Sequence, residues 1–249
     1  MATGMQKWPT ALAVVKDVQG QLGLPVSNAA ISSPDDDTAQ QLISLLTWCG
    51  RRLAKPTGTM RWQALKRTWT LATVPGQTLY DLPADWDSFI DLTGWNKTSR
   101  LPMLGPATSA QWSTLSARGM GATTISVIYR TRNNQFELFN AYSSPQNLVI
   151  DYSSRAWVYN ASGTPPGYAD AIAADDDQIL YDNELITAKL KLAFLQAKGF
   201  DTTVATADYN EIEEQALNAD SDAPVLTTGR PRGYPLISNL NVPDTGYGL

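Results

Sequence analysis

The chain has 249 residues, of which 43% are hydrophobic and 17% are charged, a balance typical of globular proteins and not of disordered or coiled-coil chains. It contains no histidine and a single cysteine. This excludes catalytic centres that need an imidazole, internal disulfides and cysteine-based zinc clusters. Cys49 lies in an apolar run and is expected to be a buried structural thiol. The composition favours a structural or binding protein over an enzyme.

The charges are distributed unevenly. Residues 1–150 carry 13 Lys and Arg against 9 Asp and Glu, whereas residues 151–249 carry 6 against 15. The acidic final third opposes binding to a phosphate backbone. One basic stretch consists of Arg51, Arg52, Lys55, Arg61, Lys66 and Arg67. We interpret it as a solvated face near a helix end, with a nucleic-acid patch as the alternative.

The sequence predicts no membrane segment. No apolar stretch approaches the roughly 20 residues that cross a bilayer, and Met1–Pro9 lacks the features of a signal peptide. We therefore expect a protein that is made and kept in the cytoplasm, or assembled there into something larger.

Two amphipathic helices are predicted at the N-terminus, and we assign residues 1–58 to this helical pair. The first covers Pro9–Leu22, where apolar residues recur at spacings of three and four behind Thr10 as N-cap. The second begins at Ser33 as N-cap, with proline and acidic residues in its first turn, and continues to about Leu53.

From residue 59 to residue 160 the pattern has a period of two, which predicts an inserted, small antiparallel β unit. Trp69–Val74 and Gln77–Leu82 are expected to pair as a hairpin around a Pro-Gly turn. Four further strands are predicted, at Ser88–Trp95, Thr124–Arg130, Gln135–Asn140 and Asn147–Tyr152. A short helix is predicted over Thr108–Ala117.

A second helical pair is predicted over residues 161–218. Its first helix is expected to start at a capping box in Asp175-Asp176-Asp177-Gln178 and to end at Lys198. Its second helix covers about Val204–Asn218. Since each apolar stripe needs a partner, the predicted fold class is α+β: a helical bundle from both ends of the chain, with the inserted β unit and an extended C-terminal tail.

The tail, residues 219–249, is rich in proline and glycine, with apolar residues that follow no helical period. This pattern favours an extended segment that becomes ordered against a partner. Packing of the tail along its own domain is the alternative.

Three acidic clusters are candidate chemical sites. Asp35-Asp36-Asp37 and Asp175-Asp176-Asp177 are interpreted as helix caps, with metal binding as the alternative, although the spacing of a calcium loop is absent. Asp81, Asp85 and Asp87 flank Trp86 and are interpreted as turn residues, with a carbohydrate site as the alternative. No phosphate loop or dinucleotide motif occurs, and we expect no cofactor and no metal.

Several segments resemble one protein family. Val74–Ile90, together with Thr73 before it, fits the hairpin pattern T-V-x-G-x-x-x-Y-D-L-P-x-D-[FW]-x-x-[FI] that recurs in this family. Leu22–Pro25 and Trp48–Arg51 resemble motifs at the ends of that family's first two helices. The stretch Trp95–Trp112 is similar as well. Over about residues 10–215, the chain resembles head-to-tail adaptor or tail tubular proteins of short-tailed bacteriophages.

That resemblance implies a non-enzymatic virion protein at the neck between capsid and tail. Such proteins form a ring, commonly of twelve copies, which binds the portal protein, carries the next tail (nozzle or hub) protein and extends the DNA channel. Double-stranded DNA would pass without specific binding. The basic residues 51–67 would contact an acidic surface of the portal instead of lining the channel.

Two sets of site residues follow from this expected role. In the tail, Tyr234, Leu236, Ile237 and Leu240 are predicted to contact the portal. In the last helix, Asp208, Glu211, Glu213 and Glu214 are predicted to line the channel. The competing hypothesis from another class is a carbohydrate-binding or carbohydrate-cleaving tail protein that uses the tryptophan-rich β unit.

Overall fold

A computed structural model describes residues 8–31, 37–55, 62–119, 127–163 and 165–220. Within these residues there are five α-helices: α1 Ala11–Leu22, α2 Asp37–Leu53, α3 Ser109–Ala117, α4 Asn183–Lys198 and α5 Thr203–Asp220. The strands are β1 Lys66–Ala72, β2 Leu79–Asp81, β3 Trp86–Phe89, β4 Trp95–Asn96, β5 Leu101–Leu104, β6 Val127–Arg132, β7 Gln135–Leu138, β8 Asn147–Ser154, β9 Val158–Asn160, β10 Gly167–Ala169 and β11 Gln178–Ile179. A short 3-10 helix, Gln63–Leu65, precedes β1.

Eight strands form one mixed sheet with the order β1-β8-β4-β5-β6-β7-β2, and β3 also pairs with β8. β5 and β6 run parallel, with Met103 opposite Val127. Strands β10, β9 and β11 form a second, three-stranded sheet. The predicted fold class is therefore wrong: the described residues combine five helices with a large mixed sheet of eight strands, and do not form a helical bundle with a small antiparallel β unit.

The predicted hairpin is also wrong. β1 pairs with β8 along its whole length, and β2 pairs with β7. The backbone amide of Thr73 donates to the Gln146 carbonyl, and that of Val74 donates to the Tyr80 hydroxyl at 3.0 Å. Because these groups are bonded elsewhere, the residues after β1 form no ladder with β2.

The helix predictions succeed where local signals decide the boundary. Thr10 caps α1 by accepting from the Ala13 amide, and Gly23 ends it in the left-handed region at φ 67°. α3 starts behind Thr108, which forms a capping box with Gln111. α5 matches the predicted last helix within two residues. The predicted cap at residues 33–36 and the tail from residue 221 onward lie outside the described residues.

The start of α4 was predicted wrongly. This helix begins at Asn183, behind Asp182, whose side chain accepts from the Glu184 amide. Asp175 accepts from the amides of Ala30 and Ile31, and Asp177 accepts from those of Ala173 and Ala174. Asp175 and Asp177 thus accept hydrogen bonds from backbone amides of loops. Their sequence pattern is the same as that of a capping box, which explains the wrong prediction.

Two groups of buried side chains stabilise the fold. One lies among α1, α2, α4 and the three-stranded sheet and includes Trp157 and Tyr181; the other lies against the eight-stranded sheet and includes Tyr129 and Phe136. Cys49 is fully buried, as predicted, and burial raises its pKa to about 12. In the described part of the chain, no helix is long and apolar enough to cross a membrane.

Candidate functional site

Helix α5 packs against α4 through a stripe that includes the buried Tyr209 and the partly buried Ile212. A cavity opens on each flank of this stripe. The two cavities differ in charge, and together they make this end of the molecule the strongest candidate for a functional surface.

The first cavity, the acidic groove, has a volume of about 430 Å³ and is lined by residues of α1, α4 and α5. Its charged side chains are Asp17, Glu184, Lys191, Asp208 and Glu211. In the residues that the structure describes, none of the four carboxylates forms an ion pair. Within the same ranges, no group of three or more acidic or cysteine side chains is placed to hold a metal ion.

Thr187 lies in the wall of the acidic groove. The residue is only 5% exposed, yet its hydroxyl has no hydrogen-bond partner in the part of the chain that the structure describes. Nearby polar groups are already used: the Asn183 amide donates to Asp17, and the Gln215 amide donates to Glu211. A buried hydroxyl without a partner is uncommon in native proteins.

The second cavity, the basic cleft, has a volume of about 460 Å³ and lies between α2, α4 and α5. Its charged side chains are Arg51, Arg52, Lys55, Lys189 and Glu213, above a floor that contains Trp62 and Tyr209. Positive charge therefore predominates on this flank of α5.

The floor of the basic cleft is tightly arranged. The ammonium group of Lys189 lies 4.0 Å from the centre of the Tyr209 ring, a cation–π contact. The Tyr209 hydroxyl donates to Glu213 at 2.6 Å. Burial raises the pKa of Tyr209, and its hydrogen bond to Glu213 adds to this shift. Glu213 therefore accepts a hydrogen bond in the wall of the cleft.

The basic stretch predicted from the sequence divides into two kinds of residue. Arg51 forms an exposed ion pair with Asp170 at 3.6 Å, and the exposed Lys55 pairs with the partly buried Asp87 at 3.7 Å. Ion pairs near the surface contribute little to stability. Arg67 bonds Asp85 at 2.9 Å and lies 3.5 Å from the Tyr168 ring centre. Arg67 is thus a structural residue, while Arg61 lies outside the described residues.

The acidic cluster considered for carbohydrate chemistry is engaged in the fold. Asp85 accepts hydrogen bonds from Arg67, Tyr152 and Ser154 at 2.9, 2.9 and 2.6 Å. Burial is the main cause that raises the pKa of Tyr152 to about 12, and the hydrogen bond from Tyr152 to Asp85 adds to this shift. Asp87 pairs with Lys55, and Asp81 accepts from Gln135. These carboxylates therefore act as anchors for side chains and strands.

The structure separates the four residues predicted to line a channel. Asp208 and Glu211 lie in the acidic groove, Glu213 lies in the basic cleft, and Glu214 is exposed and lines neither cavity. The predicted tail contacts, Tyr234, Leu236, Ile237 and Leu240, lie outside the described residues. Asp17 and Glu184, which also line the acidic groove, were not predicted from the sequence. The signal available for Glu184 is its spacing from Thr187 and Lys191, which places the three residues on one face of α4.

A comparison with known protein families matches residues 9–232 to the SU10 adaptor protein family. The chain belongs to this family. The resemblance found in the sequence is thereby confirmed, and the SU10-family adaptor is a structural component of a bacteriophage particle that interacts with other head or tail proteins. A search of curated proteins found no match.

Proposed function

We propose that this SU10-family adaptor forms a ring at the neck of the phage particle, between the portal and the tail, and that it catalyses no reaction. The family match over residues 9–232 carries this proposal. The structure is compatible with it. Both candidate surfaces are lined by charged residues, and Asp85, the central residue of the carboxylate cluster, is held by three hydrogen bonds within the fold.

In this proposal one face of the ring binds the portal protein, and the other carries the next tail (nozzle or hub) protein. The resemblance implies twelve copies, assembled in the host cytoplasm. Double-stranded DNA passes through the ring, and weak contact suits that role, because each cationic contact to phosphate adds affinity. The net charge of −5 supports passage without specific binding. The channel-lining role of Asp208, Glu211, Glu213 and Glu214 stays a prediction.

The tail is the proposed docking element for the portal, with Tyr234, Leu236, Ile237 and Leu240 as apolar anchors. The structure fixes where a truncation should be made. The Asp220 carboxylate accepts from the Gln63 amide at 2.7 Å, so a chain that ends after Asp220 keeps this contact between α5 and the 3-10 helix.

Native mass spectrometry of the adaptor mixed with its cognate portal ring tests this function. The full-length chain is expected to load the portal stoichiometrically, whereas a chain ending at Asp220 is expected to fail. A full-length variant with Tyr234, Leu236, Ile237 and Leu240 changed to alanine separates the four anchors from the length of the tail. Absence of binding by the full-length chain would refute the portal-docking role.

A further inference from the structure

We propose that the acidic groove of one adaptor copy faces the basic cleft of the next copy in the ring. Residues on the two opposite flanks of α5 then form the two sides of the contact between copies. This inference rests on the proposed ring and names the surface that builds it. Its occupant is a second copy of this chain, in a head-to-tail arrangement.

Charge complementarity is the first argument. The acidic groove carries four carboxylates and one lysine, and the basic cleft carries four cations and one glutamate. The carboxylates form no ion pair in the described residues. In the cleft, the side chains of Arg51 and Lys55 are solvent-exposed, and their ion pairs are weak enough to be exchanged for new partners. Each surface thus offers the charge that the other lacks.

Arg52 in the basic cleft is the second argument. It carries five donors, and its only aromatic contact in the described residues is to Trp48, at 5.3 Å, so it is well suited to meet carboxylates of a second copy.

The arrangement also fixes the symmetry of the contact. Two copies that met groove to groove, or cleft to cleft, would bring like charges together, which disfavours a two-fold dimer. A contact between two different surfaces is heterologous, the type of contact that builds a ring when the rotation between successive copies closes. Asp208 and Glu211 are thereby assigned to the contact between copies, whereas Glu214 is left outside it.

Charge reversal in the full-length chain tests the contact by sedimentation velocity at low and at high ionic strength. The groove variant is Asp208→Lys with Glu211→Lys, and the cleft variant is Arg51→Glu with Arg52→Glu. We expect self-association of the natural chain to weaken with salt, and each variant to lose roughly tenfold or more in association constant. Glu214→Lys and Arg132→Glu, which change exposed charges outside both cavities, are the matched controls and should associate normally.

Rescue gives the sharper result. The groove variant has two positive surfaces and the cleft variant has two negative ones, so an equimolar mixture of the two should associate again. A chain that carries all four substitutions should also recover, because its two charges are exchanged. Thermal unfolding checks that each variant is folded. If a variant does not fold, the neutral Asp208→Asn with Glu211→Gln replaces it, with a smaller loss expected.

The inference is overturned if the natural chain stays monomeric at low ionic strength, if the reversals match the controls, or if neither rescue recovers association. Portal loading is measured separately by native mass spectrometry. Salt-sensitive association without portal loading would refute the proposed docking function alone. Portal loading that tolerates both reversals would refute the proposed contact alone.

Discussion

Gly50 in α2 lies directly against the indole ring of Trp157: a Cβ atom at position 50 would come within 2.5 Å of three ring atoms. Trp157 is completely buried, and its indole nitrogen donates to the Asp170 carbonyl at 3.0 Å. The ring therefore has no room to move aside. This contact gives a physical reason for the glycine in the motif Trp48–Arg51.

Gly50→Ala is accordingly expected to lower the free energy of unfolding by about 1–3 kcal/mol through overpacking, despite the better helix propensity of alanine. Gly20→Ala in α1 is the matched control, since nothing lies within 4 Å of a Cβ there; it should stabilise the protein by roughly 0.5–1 kcal/mol. Urea denaturation measures both. Shifts in the same direction would contradict the proposed role of the close contact.

Asp85→Ala is expected to cost about 2–3 kcal/mol in unfolding free energy, because it leaves Arg67, Tyr152 and Ser154 without a charged acceptor. Asp87→Ala, which removes only the ion pair with the exposed Lys55, is expected to cost less than about 1 kcal/mol. Chemical denaturation of the two variants gives the comparison. Equal costs would show that the network around Asp85 has no special weight.

Alkaline pH is expected to destabilise the protein. The pKa values of Cys49 and Tyr152 are raised to about 12 from ordinary values of 9 and 10, and burial also raises the pKa of Tyr181. The folded state therefore holds these protons more tightly than the unfolded state, so this contribution is complete below pH 9 and falls as pH rises through 9 to 12.

Thermal unfolding between pH 8 and pH 11 measures this loss, and absorbance of tyrosinate follows the tyrosines directly. In the folded protein Cys49 should also stay unreactive toward thiol reagents at pH 8, because the nucleophile is the thiolate. Rapid labelling without unfolding would contradict the burial of Cys49.

α3 is expected to detach when Trp112 is replaced. None of the helix residues is fully buried, and Trp112 fixes it to the sheet through Phe139, at 5.1 Å between ring centres, and through Arg130, at 4.0 Å. Trp112→Ala should therefore accelerate proteolysis within α3 while the global unfolding midpoint changes little. Leu115→Ala, on the same helix, is the control. A large fall in the global midpoint would contradict this local role.

The sequence predicted elements best where the deciding contacts are local. The ends of α1 depend on Thr10 and Gly23, and the start of α3 depends on Thr108 and Gln111, all within a few residues of the boundary they fix. The pairing of β1 with β8 joins residues about eighty positions apart, and alternation along a strand does not specify such a partner.

The candidate surface was only partly predictable for the same reason. Asp175 was interpreted as a helix cap because its true partners, the amides of Ala30 and Ile31, lie far away in the sequence. The acids of α5 were grouped by composition, but the packing of Tyr209 places Glu213 on one flank and Asp208 on the other. Their separation depends on tertiary contacts.

The start of α1 is bonded to a segment made late in synthesis. The Ala11 amide donates to the Asp177 carbonyl at 2.8 Å, and the Ile179 amide donates to the Pro9 carbonyl at 2.9 Å. At roughly 5–20 residues per second of translation, α1 waits on the order of ten to thirty seconds for these partners. Until then its apolar face is covered only in part, by α2. A chain terminated before Ile179 cannot complete this contact, so such truncated adaptors are expected to meet chaperones and proteases before they can enter a growing particle.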